Sequence, residues 1–201
     1  MRLPLFPLHT VLFPETTLPL HVFEPRYREM IGRCLEHDEP FGIALILDGD
    51  EVGGHAIPRR IGTEAAIIAC QRNSHGEYDI VVQGQRRFAI RSLDRGRPYL
   101  RADVDWLDEP LGKEVEILAD AVVRLFAGIV ETLETGGHAI LDETWKEMDP
   151  RTLSFRVAAA LPGAVDLRQD LLETPDTASR LRREAELLMA VHRIGTETGA
   201  G

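Results

Sequence analysis

The stretch LPLHVFEPRYREMI, Leu18 to Ile31, sets a His, a Phe, a Glu, an Arg and a Tyr within seven residues. These side chains could serve in two ways. As a recognition surface, Phe23 and Tyr27 would offer apolar contact while Glu24 and Arg26 fix a peptide backbone. As a joint between a strand and a helix, Glu24 would cap the helix, Pro25 would take the first helical position, and Phe23 and Tyr27 would anchor in the core. Proline suits that position because its missing N–H would have no partner there. The joint accounts for Glu24 and Pro25 fully and is the stronger reading of those two. His21 is left over: in an alternating strand Leu20 and Val22 face the core and His21 faces outward.

Other residues of chemical interest are scattered. Arg86 and Arg87 follow Gly84 in a long strand-like run, and one of the pair must point outward. Arg87 is assigned to a binding surface, with an ion pair between two lobes as the blander alternative. Trp145 falls in the patternless stretch 138–148, where a large ring either pins the segment or forms an exposed contact. Cys34 and His37 stand three apart on the predicted helix, and His9 and His21 complete no convincing zinc set, which needs three or four converging ligands. Cys34 reads as core filler. His55 and His75 sit in Gly-containing turns, and His192 sits on an apolar helical stripe. The carboxylate pairs, such as Asp38-Glu39, Asp108-Glu109 and Asp142-Glu143, fall in turns. Turn carboxylates are usually solvated, whereas an acid/base pair needs an environment that separates its two members, so no catalysis is read there. No catalytic residue, metal or cofactor is expected.

The elements that would carry these residues change character along the chain. Residues 1–107 read as about six short strands with tight turns, interrupted by one helix from Pro25. RLPLFPL, TTLPLHV and FGIALIL are bounded by proline or glycine, and RIGTEAAIIACQR and YDIVVQGQRRFAIRSL form a long hairpin. After a linker at 108–111 the period becomes helical. Val115, Leu118, Val122, Leu125, Phe126, Ile129 and Leu133 share one face, and Gly136-Gly137 ends that helix. Asp149-Pro150 and Asp176 open two more helices, and Asp166-x-x-Gln169 looks like a capping box for another. The fold class expected is α+β: a β-rich pseudo-barrel with one helix over 1–107, then a four-helix lobe over 112–201.

Charge narrows the partners. The 201 residues carry a net charge of −10, with 44% hydrophobic and 28% charged residues. Residues 1–107 hold 13 Arg against 15 Asp and Glu, and the remainder holds 10 Lys and Arg against 18, so the acidity is concentrated in the second region. An acidic chain is a poor partner for a nucleic-acid backbone or an anionic membrane. No run approaches the roughly 18 apolar residues of a membrane span. The prolines of MRLPLFPLHTVLFPE break any signal-peptide core, so the expected location is the cytoplasm. Two cysteines make no disulfide framework.

Several of these segments, taken in order, resemble one known family. LPLFPLHTVLFPETTLPLHVFEPRYREMIGRCL is similar to the opening of the amino-terminal domain of Lon proteases, particularly its standalone bacterial relatives. RIGTEAAI resembles that family's Gly-Thr strand, VVQGQRRFAIRSL its Val-x-Gly-x-x-Arg-Phe strand, PYLRADVDWL its closing strand, and TLSFRVAAALP with LRQDLLETPDTASRLRREAELL its helical tail. The resemblance implies a β-rich lobe related to pseudouridine-synthase RNA-binding (PUA-like) domains, a helical lobe, and recognition of polypeptide without chemistry. The family's ATPase and protease signatures have no match in these residues. The only Gly-Lys, Gly112-Lys113, precedes Glu114, whereas a phosphate-binding loop needs Ser or Thr there.

The function expected is therefore non-catalytic binding of unfolded or exposed polypeptide segments in a groove between the lobes. The residues assigned are His21, Phe23, Glu24, Arg26, Tyr27, Arg87 and Trp145, with a cellular protease as a second partner. Two competitors come from other classes. A hydrolase would need a His poised beside a nucleophile or carboxylate in a deep pocket. Binding of a small molecule or RNA through the β lobe would need a positive or aromatic-lined patch.

Overall fold

The computed structural model describes residues 2–53, 56–133 and 144–198. His55, Gly136-Gly137 and Asp142-Glu143 lie outside the described residues. The chain divides into two compact units. The first comprises Met1–Asp108 and Pro162–Leu172, the second Glu109–Leu161 and Glu173–Gly201.

Among the described residues seven strands belong to the first unit: β1 (Arg2–Leu8), β2 (Thr17–Val22), β3 (Phe41–Asp48), β4 (Ile57–Pro58), β5 (Ile61–Arg72), β6 (Tyr78–Asp94) and β7 (Arg101–Trp106). Their pairing closes on itself. β1 lies antiparallel to β7, β7 to β6, β6 to β5 and β5 to β3, and β3 returns to β1 in a parallel register with Leu5 opposite Gly42. The ring is thus a five-stranded barrel, which matches the expected pseudo-barrel. β6, at 17 residues, is long enough to serve twice. Its second half pairs with β7 inside the ring, and its first half carries β2 outside it, Thr17 opposite Gln83 through Val22 opposite Tyr78.

Alternation decides what lies inside. Leu3, Leu5, Phe88 and Ala102 form one buried cluster. A larger one gathers Phe6, Val22, Phe41, Ile43, Ile80 and Val82 against helix α1 (Pro25–His37), whose buried stripe is Tyr27, Met30, Ile31 and Cys34. Burying such side chains contributes roughly 1.5–3 kcal/mol each. Leu35, next to that stripe, stays 40% exposed. Close approaches fix the glycines. A Cβ on Gly84 would stand 2.2 Å from the Phe13 carbonyl oxygen, and one on Gly62 would stand 2.4 Å from that of Ile43. Gly84 exchanges backbone hydrogen bonds with the incoming turn, receiving one from Glu15 N–H at 2.9 Å and donating one to the Thr16 carbonyl at 2.9 Å. Beside Gly62, the buried Thr63 hydroxyl donates to the Leu12 carbonyl at 2.6 Å.

Helix α5 (Val165–Glu173) corrects the sequence reading, which placed it with the other helices. Its residues to Leu172 group with the strands. Gln169 donates from Nε2 to the Ile61 carbonyl at 3.0 Å, and Asp166 pairs with Arg59 at 2.7 Å. The presumed capping box Asp166-x-x-Gln169 is thus spent on tertiary contacts, one residue inside the helix. Arg87 completes the attachment. It is 3% exposed and donates to the carbonyls of Leu172 at 2.6 Å and Asp108 at 3.4 Å.

The second unit packs α2 (Val115–Leu133), α3 (Thr144–Glu147), α4 (Pro150–Ala160) and α6 (Thr177–Thr198). Asp149 caps α4 by accepting from the N–H groups of Arg151 and Thr152, and Asp176 caps α6 by accepting from Ser179. α3 puts a helical turn around Trp145 where no pattern was read. On α6 the buried face is partly polar. Arg180 is fully buried, with Nη2 at 2.5 Å from Glu109 Oε1 and Nε donating to the Ser154 hydroxyl at 2.7 Å. That hydroxyl donates in turn to Glu184 Oε1 at 3.0 Å. His192, expected on the apolar stripe, is exposed.

Candidate functional site

β2, the first half of β6 and the far half of β5 lie side by side and present an outward face. Rows run across it: Pro19, Val81 and Ala69, then His21, Asp79 and Gln71. These residues line a shallow cleft of about 630 Å³ together with Leu20, Cys70 and Ile80. Phe23, just past the end of β2, stands beside it. The residue is 45% exposed, and its ring stacks on the His21 ring at 6.0 Å.

His21 is a clasp between strands. Nδ1 lies 2.7 Å from Asp79 Oδ1, and Nε2 lies 3.6 Å from Glu77 Oε2. The hydrogen bond to Asp79 holds the imidazole pKa above the ordinary 6.5, with the charges of Asp79 and Glu77 adding to it against a desolvation that lowers it. A group raised in the folded state stabilises fully below its unfolded pKa and loses that effect as pH rises through the folded value. The imidazole proton resonances of His21, followed by NMR, should therefore titrate above 6.5, and in Asp79→Asn the midpoint should fall toward it. A midpoint unmoved by Asp79→Asn would dissolve the clasp.

The remaining predicted residues separate. Glu24 sits at the N-cap of α1, yet its side chain makes no capping bond. The carboxylate instead pairs with Arg26 at 3.1 Å and accepts from the Gly53 N–H at 3.1 Å, while Arg26 donates to the Glu51 carbonyl at 3.1 Å. The two side chains thus tie the 51–53 loop to the start of α1, so the capping account of Glu24 is replaced by a loop clasp. Tyr27 is 3% exposed and stacks on Phe6 at 4.1 Å, which makes it a core residue. Burial also pushes its hydroxyl up to about 12. Arg87 faces inward and is withdrawn from any docking surface. Its neighbour Arg86 faces outward, pairs with Glu64 at 2.8 Å and lies 3.5 Å above the Trp106 ring. Trp145 belongs to the second unit, with its ring 5.3 Å from that of Phe126.

Cys34 is in the core, and burial pushes its thiol up to about 12. Among the described residues no three His, Cys, Asp or Glu side chains gather to hold a metal, and no helix is long and apolar enough to cross a membrane. Sequence reasoning missed the polar face of α6 and the outward members of β5. The signal for the first was present: Thr177, Arg180 and Glu184 share the face of Leu181 and Leu188 at helical spacing.

The family described as the ATP-dependent protease La (LON) substrate-binding domain matches residues 2–190. The chain belongs to this family. A solved LON N-terminal domain protein from Xanthomonas campestris superposes with a TM-score of 0.68 at 28% identity, covering 91% of this chain and 96% of that one. The N-terminal domain of a Mycobacterium avium complex Lon protease superposes with a TM-score of 0.75 at 22% identity, covering 94% and 98%, and shares the fold. Lon protease 2 of Myxococcus xanthus is 29% identical over 92% of this chain, and Lon protease of Roseiflexus castenholzii is 30% identical over 96%. The chain spans 23% and 25% of those two proteins, about a quarter of their length. The LON-type motifs acquire physical reasons here. In Val82-x-Gly84-x-x-Arg87-Phe88 the glycine admits the 13–16 turn, the arginine donates to the carbonyls of Leu172 and Asp108, and the phenylalanine fills the barrel. Each role is architectural.

Proposed function

We propose that this chain recognises polypeptide segments and performs no bond-breaking of its own, docking exposed apolar side chains on the β2–β6–β5 face beside Phe23. The observation that carries the reading is Phe23, a residue 45% exposed whose ring stacks on that of His21 at the cleft. An aromatic side chain fixed in water beside an apolar row is suited to bury a partner's side chain at little entropic cost. Membership of a substrate-binding domain family supports it. The chemistry of the candidates supports the absence of catalysis. Both ring nitrogens of His21 face carboxylates, which favours the protonated ring over a free base. An unfolded segment loses conformational entropy on docking, so each encounter is weak. The partners are unfolded chains and a protease that receives them. A cytoplasmic setting fits the two free cysteines, one of them exposed.

The test is anisotropy of a labelled, permanently unfolded protein titrated with this chain. Phe23→Ala should weaken binding by about 1–2 kcal/mol without lowering thermal stability. Unchanged affinity in Phe23→Ala would remove this face from the reading.

A further inference from the structure

Strand β5 outlasts the strand that covers it. Thr63 to Ala65 pair with β3, whose first residue, Phe41, stands opposite Ala65. From Ala66 to Arg72 that side of β5 carries no strand among the described residues, while its other side stays paired with β6. An open edge offers unpaired N–H and C=O groups to an added strand, and proteins commonly blunt such edges with proline or charge. The edge of β2 has Pro19 in its middle. The free part of β5 opens Ala66-Ile67-Ile68-Ala69-Cys70, without proline or charge, and a register shift between Ile67 and Ala69 leaves the Ile68 side chain 54% exposed.

Where β3 begins, a cavity of about 280 Å³ lies between this edge and the end of α1. Leu35, Pro40, Ala66 and Ile67 give it apolar walls, and Asp38, Glu39 and Glu64 give it carboxylates. Glu64 is already matched by Arg86 at 2.8 Å, and Glu39 lies 3.8 Å from Arg33. Asp38 makes no side-chain hydrogen bond or ion pair among the described residues. An apolar shaft ending in carboxylates complements an aliphatic stem with a cationic head. The net charge of −10 draws cations toward the chain at longer range.

We propose that the open edge of β5 and the adjoining cavity take an extended, basic polypeptide segment, with a lysine or arginine side chain seated between Leu35, Ile67 and the carboxylates of Asp38 and Glu39. The proposal rests on the polypeptide-binding reading and narrows the segments it selects. The added strand would hydrogen-bond along Ala66 to Arg72, as in other cases of strand addition.

Two short fluorescent peptides of one apolar, β-branched sequence, with a single central arginine or its neutral analogue citrulline, test it. The protein should bind the arginine peptide about three- to fivefold more tightly at low salt, with the preference shrinking as salt is added. Asp38→Asn combined with Glu39→Gln should abolish the preference and leave the citrulline peptide's affinity unchanged. Asparagine tolerates the left-handed backbone at position 38, where φ is 52°. Bound arginine peptide should slow amide exchange within Ala66–Arg72. Equal affinity for the two peptides, a preference that survives the double substitution, or exchange unslowed at β5 overturns the proposal and leaves polypeptide recognition standing. If neither peptide binds, both fall.

Discussion

Arg87→Ala is expected to lower the thermal midpoint by about 5–15 °C, which corresponds to roughly 2–4 kcal/mol for a chain of this size. The guanidinium is buried and donates to the carbonyls of Leu172 and Asp108. Truncation leaves those acceptors without their charged donor and opens a void where the side chain lay. Peptide affinity, measured on the folded fraction at low temperature, should not change. Differential scanning calorimetry beside the anisotropy titration separates the two. A stable Arg87→Ala protein with lost binding would restore Arg87 to a recognition role and contradict its burial.

Glu184→Gln should stabilise the second unit at neutral and mildly alkaline pH. Burial pushes the Glu184 carboxyl up to about 8, against the opposing pull of Arg180 and the Ser154 hydroxyl. The folded chain therefore holds a proton between 4.5 and 8 that the unfolded chain has released, and stability falls as pH rises through that window. Each unit of displacement is worth about 1.4 kcal/mol. Glutamine imitates the protonated form at every pH. The variant should match the wild type near pH 4.5 and exceed it by on the order of 4 kcal/mol at pH 8. Urea unfolding followed by circular dichroism at several pH values reads this directly. Parallel pH profiles for the two proteins would mean that Glu184 ionises in the fold as it does in the unfolded chain, with Arg180 and the Ser154 hydroxyl offsetting its burial.

Much of the architecture was legible because the periodicities were clean. Alternation in β2 and β7, the prolines that punctuate β1, and the Pro25, Asp149 and Asp176 helix starts required no tertiary knowledge. α5 was misplaced for a physical reason: its amphipathic pattern shows that one face is buried, without saying which partner buries it. Gln169 and Asp166 fit a local capping pattern as well as they fit Ile61 and Arg59. The site was less legible. The sequence grouped His21 through Tyr27 because they are neighbours in the chain. In space the strand end holds His21 and Phe23 on one face, a loop captures Glu24 and Arg26, and the core takes Tyr27. Arg86 and Arg87 differ by one position, and the pleat sends one to solvent and the other inside. The free edge of β5 depends on where β3 starts relative to Ala65, a pairing register that no single segment encodes.

The polypeptide crosses between its two bodies twice, after residue 108 and again after residue 172, with a return at 161 between them. Neither body is therefore a continuous stretch that scissors could free. A fragment stopped at residue 107 would lose the late segment that bonds to Ile61, Arg59 and Arg87. During synthesis all strands of the barrel emerge early, but the body they belong to is whole only once residue 172 has followed.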